Sequence, residues 1–481
     1  MILRKKDLQK FTAGWLPFAD VSSEGLPLAQ LLRLSLFQVS VGMAQVLLLG
    51  TLNRVMIVEL SVPAMIVAAM IAIPVLVAPF RALLGHRSDT HRSALGWKRV
   101  PYLWFGSLWQ MGGLAVMPFA LLVLSGDRTF EVPFAGEVLA AIAFLMTGLG
   151  MHMTQTAGLA LASDRASDET RPRVVALLYV ANLLGMGISA LAIGWLLQNF
   201  DPLTLVKVVQ GCALATLVLN LVALWKQERV RPMTRAEREE PRPRFTDAWA
   251  DLMAGGTAGR LLVVVVLGTL GFTMQDVLLE PYGGEILGLS VSQTTYLTAM
   301  SALGALTGFI IAARWLARGV DPYRLAARGI LAGIAAFSAV IFAAPLHSTA
   351  LFFTGAGLIG FGGGLFAIAT LTVAMTLPVG TLAGAGIALG AWGAAQATAQ
   401  GLSIFMGGTL RDVVGHLASS GVLGTGLSDP SLGYSFVYHL EIGLLFATLV
   451  ALGPLVRLRP LHDSTDLTSG DARLRLAEFP T

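Results

Sequence analysis

Runs of about 20 apolar residues, the length that crosses the hydrocarbon core of a bilayer as an α-helix, recur along this chain and constrain its fold more than any other feature. Of its 481 residues, 55% are hydrophobic and 13% are charged, against about 25% charged residues in a soluble domain. The chain is therefore predicted to be an all-α polytopic membrane protein that lies in a lipid bilayer. Twelve spans are predicted, at residues 35–58, 63–84, 101–124, 137–160, 173–198, 204–226, 260–282, 292–314, 325–344, 349–377, 384–407 and 434–456.

The basic residues are distributed unevenly between the predicted loops, and this bias indicates how the spans are oriented. If the N-terminus is cytoplasmic, the cytoplasmic segments hold 28 of the 33 lysine and arginine residues. An excess of basic residues marks the cytoplasmic side of a membrane protein. We therefore predict a multi-pass protein with both termini in the cytoplasm.

The spans fall into two groups of six, separated by the most highly charged segment of the chain. The two halves also resemble each other, because TLNRVMIVEL (51–60) aligns with TMQDVLLEPY (273–282). Parallel repeats of six helices are typical of the major facilitator architecture, which is the predicted fold. The predicted domains are a cytoplasmic N-terminal segment with a short interfacial helix (1–34), an N-terminal six-helix bundle (35–226), a charged cytoplasmic linker (227–259), a C-terminal six-helix bundle (260–456) and a cytoplasmic tail (457–481).

Four charged residues near the ends of two predicted spans form the first candidate site. Arg54 and Glu59 lie late in the first span, and Asp276 and Glu280 lie late in the seventh. An arginine at the bilayer centre costs roughly 2.5–3.5 kcal/mol on insertion scales, so it needs a partner or a position near the interface. One interpretation is a polar cluster that anchors both helices at the outer interface. The other is a charge pair between the bundles, in which Arg54 faces Asp276 because the repeat superposes them.

The loop between the second and third spans carries a second motif. The stretch GHRSDTHRSALGWKRVPY supplies Gly85, Asp89, Gly96, Lys98 and Arg99, in that order. This order resembles the signature of the major facilitator superfamily, with an insertion between Asp89 and Gly96. Glycine permits a tight exit from a helix, and an aspartate pairs with basic side chains or accepts from a helix N-terminus. The lysine and arginine are equally explained as residues that keep this loop cytoplasmic.

Four longer stretches resemble one protein family closely. They are FQVSVGMAQVLLLGTLNRVMIVELSVP, HRSALGWKRVPY, HMTQTAGLALASD and QDVLLEPYGGE. On these stretches the chain resembles the bacteriochlorophyll-delivery family of the major facilitator superfamily, the light-harvesting complex assembly factors of purple phototrophic bacteria. The resemblance implies a place in the inner, intracytoplasmic photosynthetic membrane. It also implies that the partners are antenna α/β polypeptides, the reaction-centre–antenna complex and bacteriochlorophyll synthase.

A bound pigment would need a ring nitrogen that ligates magnesium, and His152 is the candidate within the spans. Gln155 and Thr156 lie on the same helical face, three and four residues further on, and several glycines flank this group. The glycines would leave room for a flat macrocycle, which makes bacteriochlorophyll a candidate cofactor. They would equally let a neighbouring helix approach, with the three polar side chains hydrogen-bonding across the contact. The sequence leaves both interpretations open.

Two functions are consistent with these observations. The first is an assembly factor for the bacterial light-harvesting antenna, expected to serve the core antenna around the reaction centre, which binds α/β polypeptides and delivers bacteriochlorophyll. The alternative is a major facilitator transporter of a tetrapyrrole precursor or another amphipathic solute. The spans hold few ionisable residues away from their ends, with Glu441 near the outer end of the twelfth, and this disfavours proton-driven transport. We predict no enzymatic activity, no metal site and no nucleic-acid partner.

Overall fold

The structure, a computed structural model, describes residues 27–76, 99–125, 134–166, 170–227, 253, 256–376, 385–424, 429 and 431–457. Within these ranges we label the helices α1 (Leu28–Glu59), α2 (Ala64–Leu76), α3 (Val100–Leu124), α4 (Ala135–Arg165), α5 (Arg171–Leu196), α6 (Pro202–Leu224), α7 (Thr257–Glu285), α8 (Val291–Ala317), α9 (Pro322–Ala343), α10 (Thr349–Thr376), α11 (Ala385–Ser419) and α12 (Leu432–Arg457). We call the side on which α1 ends and α2 begins the outer side, following the predicted orientation.

Ten of these helices, all except α2 and α11, are long and apolar enough to cross a membrane. The described part of α2 is an apolar helix of 13 residues, and α11 is a helix of 35 residues. Both lie where the second and eleventh spans are predicted. The described residues therefore confirm an all-helical polytopic membrane protein, and the total of twelve spans stays a prediction.

Most of the predicted span boundaries agree with the observed helices to within a few residues. The first helix is longer than predicted, because it begins at Leu28 rather than at residue 35. The eleventh continues past its predicted end at residue 407 as far as Ser419. Residues 1–26, nearly all of the predicted linker and all but the first residue of the predicted tail lie outside the described residues. The division into five domains therefore stays a prediction.

Close contacts at glycine residues set how tightly the helices of each bundle pack. A Cβ at Gly113 of α3 would collide with the backbone of α4 at Thr147. In the other bundle, a Cβ at Gly362 of α10 would lie 2.6 Å from the carbonyl oxygen of Gly329 in α9. Hydrocarbon chains are as apolar as leucine, so helices in a membrane gain association energy mainly from such close van der Waals packing.

The two bundles contact each other through several helix pairs, among them α1–α7, α2–α11 and α5–α8. In the second pair, a Cβ at Gly408 of α11 would lie 2.5 Å from the Cβ of Ala68 and 2.6 Å from the carbonyl oxygen of Ala64 in α2. In the third pair, Gly194 of α5 lies directly against the ring of Tyr296 in α8. All of these residues lie in the outer halves of their helices. The bundles are therefore packed together on the outer side.

A polar cluster joins the bundles at the same end of the molecule. Arg411 of α11 forms ion pairs with Glu285, at the end of α7, and with the adjacent Asp412. Tyr434 of α12 donates a hydrogen bond of 2.8 Å to Glu285. The guanidinium of Arg411 lies over the ring of Tyr434, 4.7 Å from the ring centre. Asp412 also accepts a hydrogen bond of 2.7 Å from the backbone N–H of Met65, in the first turn of α2. This last contact links the C-terminal bundle to the N-terminal bundle.

We expect Gly408→Ala to destabilise the protein by about 1–3 kcal/mol, because the added methyl group overpacks the α2–α11 contact. The matched control is Gly415→Ala in the same helix, where a Cβ would meet nothing within 4 Å. Alanine has the higher helix propensity, so this control should be neutral or stabilising by up to about 1 kcal/mol. Thermal unfolding of the purified variants in mild detergent measures the difference. Equal midpoints for the two variants would contradict the close α2–α11 contact.

Candidate functional site

Arg54 lies in α1 between two π-helical stretches, Val46–Thr51 and Val55–Glu59. A π-helix bonds residue i to residue i+5, which brings Glu59 onto the same face of the helix as Arg54. The two side chains form an ion pair, and Nη2 of Arg54 also donates to the carbonyl oxygen of Leu289 at 3.2 Å. The arginine side chain is 5% exposed, whereas that of Glu59 is 40% exposed. The pair therefore connects a buried cation to a carboxylate near the outer surface.

The structure does not bring Arg54 to Asp276, the partner that the internal repeat suggests. The α-helical geometry of α7 is interrupted by a 3₁₀ turn over Met274–Val277. Within this turn the carboxylate of Asp276 accepts hydrogen bonds from the side chains of Gln275 and Gln400. The 3₁₀ turn changes the rotation per residue along α7. The side chain of Asp276 therefore leaves its helix at a different angle from that of Arg54, the residue that the repeat superposes on it.

Glu280 lies one turn after Asp276 and contacts both α1 and α8. Its Oε1 accepts a hydrogen bond from the hydroxyl of Thr298 in α8 and lies directly against Gly50 of α1. The residue is 4% exposed, its Oε2 has no hydrogen-bond partner among the described residues, and its carboxyl group lies within electrostatic range of Arg54. Three of the four predicted charged residues, all except Asp276, therefore form one cluster at the contact between the bundles.

Two side chains from neighbouring helices satisfy backbone groups at the 3₁₀ turn of α7. Asn53 of α1 donates from Nδ2 to the carbonyl oxygen of Val277 at 2.9 Å. Glu441 of α12 accepts from the N–H of Gln275 at 2.8 Å and from the backbone of Met274. Lipid offers no hydrogen bonds, so backbone at membrane depth must find such partners within the protein. The turn is consequently held by one side chain from each bundle.

Glu441 has no predicted role, because its predicted position is near the outer end of a span. In the structure Glu441 is fully buried, ten residues inside α12, and Tyr438 is fully buried one turn before it. Oε2 of Glu441 and the hydroxyl of Tyr438 have no hydrogen-bond partner among the described residues. A carboxylate inside an apolar span is a functional candidate by default, and this was the signal that could have identified it.

His152, Gln155 and Thr156 share one face of α4, as predicted, and they take part in helix packing. The hydroxyl of Thr156 donates to the backbone carbonyl of His152 at 2.8 Å. The amide nitrogen of Gln155 lies 3.4 Å from Oε1 of Gln38 in α1. His152 itself is 9% exposed. Gln155 therefore lies at the contact between α4 and α1, His152 is buried, and the hydroxyl of Thr156 bonds within α4 itself.

The space that the glycines near His152 could offer to a macrocycle is filled by other helices. A Cβ at Gly148 would lie 2.5 Å from the side chain of Pro74 in α2, and a Cβ at Gly158 would lie 2.5 Å from the ring of Phe37 in α1. The residues around His152 thus do not fit a bound tetrapyrrole. This geometry favours helix packing, the second of the two interpretations.

Most of the predicted loop motif lies outside the described residues, namely Gly85, Asp89, Gly96 and Lys98. Arg99 is described, and it precedes the first residue of α3. Its Nε donates to Oδ2 of Asp164, near the end of α4, at 3.0 Å. The contact joins α3 and α4, which pack against each other, at their ends opposite the outer side.

A double-mutant cycle tests the pairing of Arg54. We expect Arg54→Gln and Glu59→Gln to show a coupling energy of about 1 kcal/mol, because the ion pair is buried at one end and solvated at the other. The matched control combines Arg54→Gln with Asp276→Asn, and we expect the two effects to add. Unfolding midpoints of the four proteins in each cycle give the coupling. A larger coupling with Asp276 than with Glu59 would contradict the observed geometry.

The chain is similar to known proteins along nearly its whole length. A family model described as PUCC protein matches residues 51–459. An "Uncharacterized protein in puhA-bchM intergenic region" of Rhodobacter capsulatus is 66% identical over 481 residues, covering 100% of both chains. Protein PucC of Rhodovulum sulfidophilum is 54% identical and covers 83% of this chain and 88% of its own length.

Solved structures show the fold of the chain. The crystal structure of the POT family transporter PepTSo superposes with a TM-score of 0.65 at 12% identity, covering 90% of this chain and 99% of that one. Such a low identity supports the major facilitator-type fold alone. By the extent of the family match and the identity of its relatives, the chain belongs to the PUCC protein family.

Proposed function

We propose that this protein is an assembly factor for the bacterial light-harvesting antenna, acting in the inner, intracytoplasmic membrane with both termini in the cytoplasm. One observation carries the proposal: the chain matches PucC proteins at 54% identity over most of its length, but transporters of the same fold at only 12–15%. The sequence resemblance links that family to antenna assembly. The proposed clients are the α/β polypeptides of the core antenna around the reaction centre.

The packing between the bundles supports a scaffold role. Several helix pairs, among them α2–α11 and α5–α8, join the bundles in their outer halves, and Asp412 of α11 accepts a hydrogen bond from the backbone of α2. A scaffold of this kind has to offer its clients a surface that faces the lipid. Single-span polypeptides would bind there through close van der Waals contact, as helices in membranes do.

We propose that a strip of aromatic side chains on α3 contributes to this surface. Phe105, Trp109 and Phe119 share one face of the helix at helical spacing, and they are 57%, 46% and 61% exposed. Aromatic rings provide a large contact area with little loss of side-chain freedom, which suits them to hold a passing helix. The strip lies on the N-terminal bundle, away from the contact with the other bundle.

No pigment-binding residue is assigned within this proposal. The candidate at His152 is packed against neighbouring helices, so its surroundings do not fit bacteriochlorophyll. Delivery of bacteriochlorophyll and contact with bacteriochlorophyll synthase stay expectations that rest on the family resemblance. The proposed binding of antenna polypeptides does not require either of them.

A transporter of a tetrapyrrole precursor or another amphipathic solute is the second candidate function. One observation favours it: Glu280 and Glu441 are buried carboxyl groups, each with an oxygen that has no hydrogen-bond partner among the described residues. Ionisable groups inside membrane bundles often mark solute or ion pathways. The scarcity of ionisable side chains in the spans disfavours proton-driven transport. The burial of Glu280 and Glu441 weakens this objection, because both lie inside the protein at membrane depth.

Purification of the tagged protein from phototrophic cells in mild detergent tests the assembly role. We expect antenna α/β polypeptides and reaction-centre subunits to co-elute, with near-infrared absorption from the pigment of these clients. Clean protein without these clients, together with saturable solute uptake into liposomes, would instead support transport.

The aromatic strip gives a sharper test of the same proposal. We expect Phe105→Ala with Phe119→Ala to lower the yield of co-eluting antenna polypeptides several-fold, because the client helix loses ring contacts. The matched control is Phe342→Ala with Phe446→Ala, two rings on α9 and α12 that are 57% and 53% exposed. Quantitative mass spectrometry of the eluates measures the yield. An equal loss in both double variants would show that the strip has no specific role.

A further inference from the structure

Two carboxyl groups lie at the 3₁₀ turn of α7 without a basic partner. Glu441 is 0% exposed, and Asp276 on the neighbouring helix is partly buried. Neither forms an ion pair with any lysine, arginine or histidine among the described residues. Arg54 and Arg411, the arginines described above near the outer side, pair instead with Glu59 and Glu285. Buried charges without compensation are strongly unfavourable in the low dielectric of a membrane protein. A positive charge from outside the polypeptide would resolve this conflict.

Some side-chain oxygen atoms near the 3₁₀ turn accept hydrogen bonds and others do not. Oε1 of Glu441 accepts from the backbone of Gln275, whereas Oε2 has no partner in the part of the chain that the structure describes. Tyr438 lies one turn earlier on the same helical face and is fully buried, and its hydroxyl likewise has no partner among those residues. Asp276 interacts electrostatically with Glu441 across the α7–α12 contact. Glu441 and Asp276 therefore lie at the same turn, and two oxygens beside it, Oε2 of Glu441 and the hydroxyl of Tyr438, lack a partner among the described residues.

We propose that Glu441, Asp276 and Tyr438 form a binding site for a small monovalent cation, a proton or Na⁺. Interrupted helices in membrane proteins are where such ions bind, because the helix break brings backbone and side-chain oxygens together. A divalent cation is disfavoured, since it would require more ligands than this group supplies. Among the described residues there is no group of three or more histidine, cysteine, aspartate and glutamate side chains that could hold a metal ion.

Few titratable or charged side chains of the neighbouring helices face the proposed site. The titratable side chains that face it are Tyr282 from α7 and Tyr434 from α12, while α9 presents the apolar ring of Phe337. The nearest charged groups of α11 lie at its outer end, where Arg411 and Asp412 are paired. This inference is independent of the proposed assembly role.

The full-length protein in mild detergent allows a direct test. Thermal unfolding is followed while Na⁺ replaces choline at constant ionic strength, and infrared difference spectra record the carbonyl band of protonated carboxyl groups as the pH is varied. The variants are Glu441→Gln, whose amide oxygen can still accept from Gln275, and Tyr438→Phe. The matched control is Asp201→Asn, which removes an exposed carboxylate at the start of α6 but keeps a residue that caps a helix well.

If Na⁺ is the ligand, we expect the unfolding midpoint of the natural protein and of Asp201→Asn to rise with Na⁺ concentration. The response should be lost in Glu441→Gln and weakened in Tyr438→Phe. If the ligand is a proton, we expect no response to Na⁺, and a protonated carboxyl band at neutral pH that loses intensity in Glu441→Gln. Absence of both signals in the natural protein would overturn the proposal. So would a folded Glu441→Gln that retains either signal in full.

Discussion

The lipid interior offers no hydrogen bonds, and this constraint explains the most unusual contacts in the protein. The backbone of α7 leaves α-helical geometry at membrane depth, so its freed groups require partners from other helices. Asn53 supplies a donor from the N-terminal bundle, and Glu441 supplies an acceptor from the C-terminal bundle. The irregular segment therefore depends on both bundles at once. The 3₁₀ turn of α7 is thus a place where the two bundles are bonded to each other.

Attachment between the bundles uses backbone and small residues more than charge. Gly408 lets α2 and α11 approach until backbone and methyl groups touch, and Gly50 leaves room for the carboxyl group of Glu280 between α1 and α7. The ion pairs of Arg54 and Arg411 lie toward the outer ends of their helices, where water lowers the cost of each charge. Close packing therefore sets the distance between the bundles, and the charged residues form contacts at the outer ends of the helices. This division of roles suits a scaffold, and it also leaves the carboxyl groups near α7 without basic partners.

The sequence predicted what depends on hydropathy and missed what depends on helical phase. The spans and the outer cluster of Arg54, Glu59 and Glu280 follow from apolar runs and from charges within them. The pairing of Arg54 does not, because superposing the repeats assumes two regular helices. A π-helical stretch in α1 and a 3₁₀ turn in α7 alter the direction of each side chain. The backbone hydrogen bond that Glu441 accepts was not predictable for the same reason, since the N–H of Gln275 is available to it only where α7 is irregular.

The two π-helical stretches of α1 have a consequence for how this helix could vary. A π turn closes its hydrogen bond one residue later than an α turn, so it behaves as a local insertion of a single amino acid. Deleting one residue within Val55–Glu59 would convert the π turn into an ordinary α turn, in which residues four apart share a face. Glu59 would then follow Arg54 by four residues and stay beside it. The helix beyond the turn would keep its phase as well, so we expect related chains to accept a gap of one residue in this segment and still form the ion pair.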